Sequence, residues 1–201
     1  MMQGEVRTEC RQERKSGVKT GFYKLIAFLP ITSRARGAIY RLLNPQTISK
    51  GFLIGFGSYI DAKKILIGND VNIGNMTKVK LMDCFKIGNQ TTIGSHNIFC
   101  GALEQDKCLE RNFTVGNNTN ILYSHYFDVV APISIGDNVK IAGKWTQFYT
   151  HSFDLSGNRL DGAINVGNNV YIGAGSLINL GVDICDDVVL QGGNSCDKGY
   201  N

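Results

Sequence analysis

The sequence predicts a β-solenoid, a chain wound into flat-sided coils of very short parallel strands, and three observations predict it. An aliphatic residue followed by Gly recurs at six-residue spacing, as in IGNDVN from Ile67, IGNMTK from Ile73, IGNQTT from Ile87, IGSHNI from Ile93, VGNNTN from Val115, IGDNVK from Ile135 and VGNNVY from Val166. The fifth position of each unit is small or β-branched (Val71, Thr77, Thr91, Thr119, Val139, Val170, Ser176). Asn, Asp and Gly stand at the remaining positions, where tight corners need backbone angles that these residues adopt readily. A heptad or a membrane helix is excluded, because the period is six and polar residues interrupt every unit.

The elements follow in order. At 201 residues the chain is sized for one domain with an extension. Residues 1–50 read as a basic N-terminal arm with one or two short helices, and 51–201 as the solenoid. A short helix or apolar segment is possible from Phe22 to Pro30. A second helix opens at Ser33 as N-cap, and Ala35, Ala38, Ile39, Leu42 and Leu43 share one face until Pro45 stops it. That stripe rests either on the open end of the solenoid or on a membrane surface. Repeats run from Ile54, with further units at Ile121, Ile141, Ile172, Ile178, Ile184, Leu190 and Cys196. Three hexads make a coil of eighteen residues, the spacing from Val166 to Ile184 and from Val115 to Ile133. Stacked coils bury a continuous apolar column. The rhythm breaks twice, from Ala102 to Asn112 and from Gln147 to Ile164, and loops on a rigid scaffold are where function concentrates.

Charge is divided unevenly. Residues 1–50 hold ten Lys/Arg against three Glu, net +7, while 51–201 hold eleven against fourteen, net −3. The arm therefore suits anionic headgroups or an acidic partner, or is simply solvated. Nothing in the pattern points to nucleic acid. No apolar run reaches the ~18 residues of a membrane span, and Leu25–Pro30 is too short and too late for a signal peptide. The expected location is the cytoplasm, with the six cysteines reduced and no C-x-x-C pair for zinc.

The repeat, and above all VGNNVYIGAGSLINLGVDI, resembles the hexapeptide-repeat acyltransferases. The resemblance covers roughly residues 53–198 and implies a left-handed parallel β-helix, assembly as a homotrimer and acetyl-CoA as co-substrate, with no metal. Within that family the short helical arm resembles the sugar O-acetyltransferase subgroup, which moves an acetyl group to a hydroxyl of a sugar or polysaccharide precursor, some of them lipid-linked. N-acetylation of an amino sugar and a scaffold without activity are the alternatives. A zinc hydratase on the same solenoid needs three converging histidines, and the three here lack the close pair such sites use.

The second break contains YTHSFD, and the resemblance makes His151 the general base that deprotonates the acceptor. The chemistry is reasonable on its own terms, since a sugar hydroxyl is a poor nucleophile and imidazole accepts protons near neutral pH. Ser124 and His125 stand where related enzymes place an acceptor-binding asparagine, and His125 either faces the groove or fills a corner. Trp145 takes a corner usually given to a small residue and either walls the acceptor site or packs between coils. Asp154 and Asp128 are candidates to orient an imidazole or to meet substrate hydroxyls. For the coenzyme, the resemblance implies a narrow arm lying along corners at Gly173 and Ala174, then Gly192 and Gly193, with Lys198 toward its phosphates.

Overall fold

The computed structural model describes residues 17–102 and 110–197, and side chains from residue 21 onward. Three flat faces wind around one core, the left-handed parallel β-helix of hexapeptide repeats that the family resemblance implies. One face is a seven-stranded parallel sheet, from Leu53–Ile54 through Asn72–Ile73, Thr92–Ile93, Asn120–Tyr123, Lys140–Lys144 and Tyr171–Ile172 to Val189–Leu190. A second face carries Ile98–Cys100, Tyr126–Asp128, Gln147–Tyr149, Leu177–Ile178 and Ser195–Cys196. The third carries Asn112–Val115, Ile133–Ile135, Ile164–Val166 and Asp183–Ile184. Two long strands, Tyr59–Ile67 and Lys78–Ile87, run from the second face into the third and join them.

The axis is filled as the repeat dictates. Ile54, Ile73, Ile93, Ile121, Ile141 and Ile172 stack on the first face and are sealed from solvent. On the second face phenylalanine takes this place: Phe99, Phe127 and Phe148 stack with ring centroids 4.5 and 4.6 Å apart. Buried hydroxyls at the fifth position are satisfied coil to coil, Thr77 Oγ1 donating to the Gly94 carbonyl at 2.8 Å, Thr91 Oγ1 to that of Gly116 at 2.8 Å and Thr119 Oγ1 to that of Gly136 at 3.0 Å.

The coil length differs from the uniform eighteen expected. Val166 does pair with Ile184, but Val115 pairs with Ile135 and not Ile133, a step of twenty. The extra residues go into one corner, between the second and third faces. There Phe127 and Ile135 bracket a connection two residues longer than the one from Ile178 to Ile184. Both breaks in the rhythm leave from that same corner, after Cys100 and after Tyr149, on the two coils that pair with the strand ending at Asp128; residues 103–109 of the first break lie outside the described residues.

Two helices, α1 (Gly17–Ala27) and α2 (Ser33–Leu43), close the open end of the solenoid. The cap of α2 is Thr32, one residue before the expected Ser33; its side chain accepts the Ala35 N–H at 3.2 Å. The buried face also differs from the aliphatic stripe. Arg36, Gly37 and Tyr40 are buried, whereas Leu42 and Leu43 are exposed. The reason lies in polar and steric fit. Tyr40 stacks on Tyr23 at 4.2 Å and its hydroxyl receives the Ile60 N–H at 3.3 Å. Arg36 donates to the carbonyls of Ile54 and Leu29 at 3.0 Å each. Gly37 lets the backbone of Phe52 approach so closely that a Cβ there would lie 1.9 Å from its carbonyl oxygen.

Candidate functional site

The second insertion is a short antiparallel hairpin, His151–Phe153 against Arg159–Asp161, standing off the solenoid corner. Asp154 forms its turn, Oδ1 accepting the N–H groups of Ser156 and Asn158 at 2.8 Å each and Oδ2 the Asn158 amide at 2.9 Å. Its exposed carboxylate thus holds the turn of the hairpin together. His151 begins the hairpin, held from below by Thr150. The Thr150 hydroxyl donates to the Asp128 carbonyl at 2.7 Å and accepts the N–H groups of Val130 and Ala131 at 2.9 and 3.0 Å.

His151 Nδ1 lies 2.5 Å from Oδ2 of Asp128, with the imidazole 32% exposed and the carboxylate almost enclosed. An ionised carboxylate only accepts, so Nδ1 carries the hydrogen, and in the neutral ring the lone pair is then on Nε2. Nε2 has no hydrogen bond among the described residues. Burial pushes the Asp128 carboxyl up, and the hydrogen bond from His151 is the largest of the effects that pull it back. The result is an imidazole held in one tautomer by a buried carboxylate and open on its other nitrogen.

His125 is placed differently from the groove-facing alternative. Its side chain is 1% exposed and lies inside the coil, in a column with Ser58, Thr77, Asn97, Thr146 and Ser176. From Ser58 to His125 each side chain in that column accepts the N–H of the next coil: Ser58 Oγ from Thr77, Thr77 Oγ1 from Asn97, Asn97 Oδ1 from His125, and His125 Nδ1 from Thr146 at 3.1 Å. His125 is therefore a structural rung, not an acceptor-binding residue. Its Nε2 is buried without a hydrogen-bond partner, and desolvation pushes the imidazole down to about 4, opposed only by the nearby Ile141 carbonyl.

The remaining expected residues share one corner, between the first and second faces. Met76, His96, Ser124, Trp145, Gly175 and Gly193 form a column of left-handed residues there, with φ between 55° and 77°. Ser124 is half-buried and its carbonyl accepts the Trp145 N–H at 3.2 Å; the Trp145 indole is 70% exposed. Beside this column the corner is cleared of side chains. A Cβ on Gly143 would lie 2.5 Å from that of Ala174, and one on Gly173 would lie 2.3 Å from the Gly192 nitrogen. Earlier coils cap the equivalent amide with a side chain from the next coil: the Phe56 N–H donates to Asn75 Oδ1 at 2.8 Å and the Asn75 N–H to Ser95 Oγ at 3.0 Å. At Ala174 the next coil offers Gly192 and no acceptor, so the Ala174 N–H has no partner among the described residues. A free donor on a corner of small residues fits a slender amide-bearing ligand such as the pantetheine arm. Gly173 itself is buried and serves coil stacking, its carbonyl taking the hydroxyls of Thr146 and Ser176 at 3.2 and 2.8 Å. Lys198 lies outside the described residues. Sequence reasoning missed Gly143 as part of the cleared corner, although its place two residues before Trp145 in IAGKWT was a usable signal.

Fold and site together define a β-helix of hexapeptide repeats with an acid-oriented histidine on a projecting loop. No protein-family model matches the chain, and no curated protein does. Among solved structures it is similar to a mutant of AntD, an N-acyltransferase from Bacillus cereus in complex with dTDP and coenzyme A, at 21% identity over 79% of this chain and 80% of that one, with a TM-score of 0.47. It is also similar to a UDP-N-acetylglucosamine acyltransferase from Campylobacter jejuni, at 17% identity over 74% of this chain and 62% of that one, TM-score 0.45. A maltose O-acetyltransferase from Clostridium difficile gives 18% identity over 94% of this chain and 81% of that one, with a TM-score of 0.37.

Proposed function

We propose that the protein transfers the acetyl group of acetyl-CoA to a hydroxyl of a sugar or polysaccharide precursor, with His151 as the general base. The observation that carries this reading is the His151–Asp128 pair, in which the carboxylate holds Nδ1 at 2.5 Å and the other nitrogen is free. The coenzyme supplies an acetyl group activated as a thioester. His151 Nε2 removes the proton of the acceptor hydroxyl as its oxygen attacks, and returns that proton to the departing thiol. Asp128 stabilises the imidazolium formed in between, and the Ala174 N–H is a fixed donor for the oxygen on which charge gathers. The exposed indole of Trp145 and the Tyr126–Tyr149 pair, 5.8 Å apart beside the Asp128 strand, offer aromatic surface of the kind that sugar rings pack against.

Within one chain His151 and the Ala174 corner sit at opposite edges of the second face, with the strand Gln147–Tyr149 between Trp145 and His151. Six extended residues span on the order of 15–20 Å, too far for one small reaction centre. A homotrimer, in which one copy's histidine edge meets the next copy's cleared corner, completes the site, and we place the enzyme in the cytoplasm beside its coenzyme supply. The test is incubation with acetyl-CoA and a panel of sugars and amino sugars, followed by thiol release and product analysis. A hydroxylamine-labile ester supports the reading. An amide product, or no thiol release with any acceptor, overturns it.

A further inference from the structure

The helices that close the solenoid present a second surface with no part in that chemistry. On α1, Tyr23, Ile26 and Ala27 turn inward to the core, while Phe22 and Leu25, three residues apart, point to solvent, as does Leu29 just past the helix end. Leu25 is 64% exposed. Phe28 and Phe56 extend this patch as an exposed edge-to-face pair with centroids 5.7 Å apart. Five large apolar side chains at one end of a small domain form a patch that water does not favour.

The chain segment that carries the patch is charged with one sign. From Arg14 to Ile60 the sequence contains no Asp or Glu, but holds Lys15, Lys19, Lys24, Arg34, Arg36, Arg41 and Lys50 besides Arg14 itself. On α2, Arg34 and Arg41 are seven residues apart and so two turns along one side. Both are exposed and line a cavity of about 500 Å3 between the helix and the first coil, in which Asp70 is the one acidic residue. Neither makes an ion pair among the described residues. A short helix with aromatic and aliphatic side chains outward, in a segment of uniformly positive charge, matches the interface of an anionic bilayer, where apolar groups enter the acyl boundary and arginines meet phosphates. No described helix is long and apolar enough to cross a membrane.

We infer that the helical cap docks the protein peripherally on an anionic phospholipid surface, through Phe22, Leu25, Phe28 and Leu29 with Arg34 and Arg41 beside them. This does not rest on the transferase reading. It is tested by sedimenting the full chain with vesicles of phosphatidylcholine alone and of phosphatidylcholine with phosphatidylglycerol, at low and high salt. The expected result is pelleting with the anionic vesicles only, weakened by salt. The F22S/L25S variant, which alters exposed positions, is expected to keep the thermal midpoint and lose at least about tenfold in vesicle affinity; R34Q/R41Q is expected to lose affinity and salt dependence together. Absence of pelleting with anionic vesicles overturns the inference, as does equal binding by the variants. So does a change in oligomeric state on F22S/L25S without any vesicle binding, which would make the patch a contact between copies.

Discussion

His151 and Asp128 come from adjacent coils, and the corner bond from Thr150 to the Asp128 carbonyl at 2.7 Å fixes the strand of one against the strand of the other. The 2.5 Å contact between imidazole and carboxylate is therefore set by the solenoid, not by the hairpin that projects from it. Asp128→Asn keeps the shape but lets the imidazole take either tautomer. It is expected to lower kcat by roughly 10²-fold or more, with coenzyme affinity unchanged by calorimetry. Equal loss of coenzyme binding would assign Asp128 a structural role instead.

Gly192 is expected to matter for what it lacks. Replacing it with Asn restores the side-chain acceptor that earlier coils supply, as Asn75 does for the Phe56 N–H at 2.8 Å. Gly192→Asn should occupy the Ala174 N–H and obstruct the corner, lowering coenzyme affinity at least about tenfold, with some loss of thermal midpoint because its Cβ would lie 2.9 Å from the Ala174 carbonyl oxygen. Unchanged affinity would remove this corner from the binding site.

His125 links the core to pH. Its folded value of about 4 lies below the ordinary 6.5, so between these values the unfolded chain binds the extra proton. Stability from this residue is fully present above about pH 6.5 and is lost as pH falls toward 4, by up to about 3 kcal/mol. Urea titrations across that window should show the slope, and His125→Asn, which copies the neighbouring rung Asn97, should flatten it.

Gly37 tests the cap. Ala is the better helix former, yet the Phe52 carbonyl occupies the place of its Cβ. Gly37→Ala is expected to cost about 1–3 kcal/mol in denaturant unfolding, where propensity alone predicts a gain.

The repeat made the solenoid legible because each hexad states its own geometry: an inward aliphatic, a glycine at the bend, a small residue at the corner. His151 stood out because it interrupts that rule. Less visible were features set between coils. Nothing local reveals that Val115 aligns with Ile135, since the spare residues lie in a corner that has no pattern of its own. Asp128 is one of two aspartates that the sequence offers to orient an imidazole, and only the stacking of two coils singles it out as the partner of His151. The same holds for His125, whose inward direction depends on a ladder of Asn97 and Thr146 from the coils on either side. On α2 the aliphatic stripe misled because Tyr40, through stacking and a hydrogen bond, outcompeted it for the interior.

The central claim is that His151 moves the acceptor proton, and the most direct measurement is acetyl-CoA turnover by His151→Ala with coenzyme affinity measured on the same sample. The account predicts a loss of roughly 10²–10⁴-fold in kcat with coenzyme affinity preserved. Turnover equal to that of the wild type, with the coenzyme still bound, would contradict it.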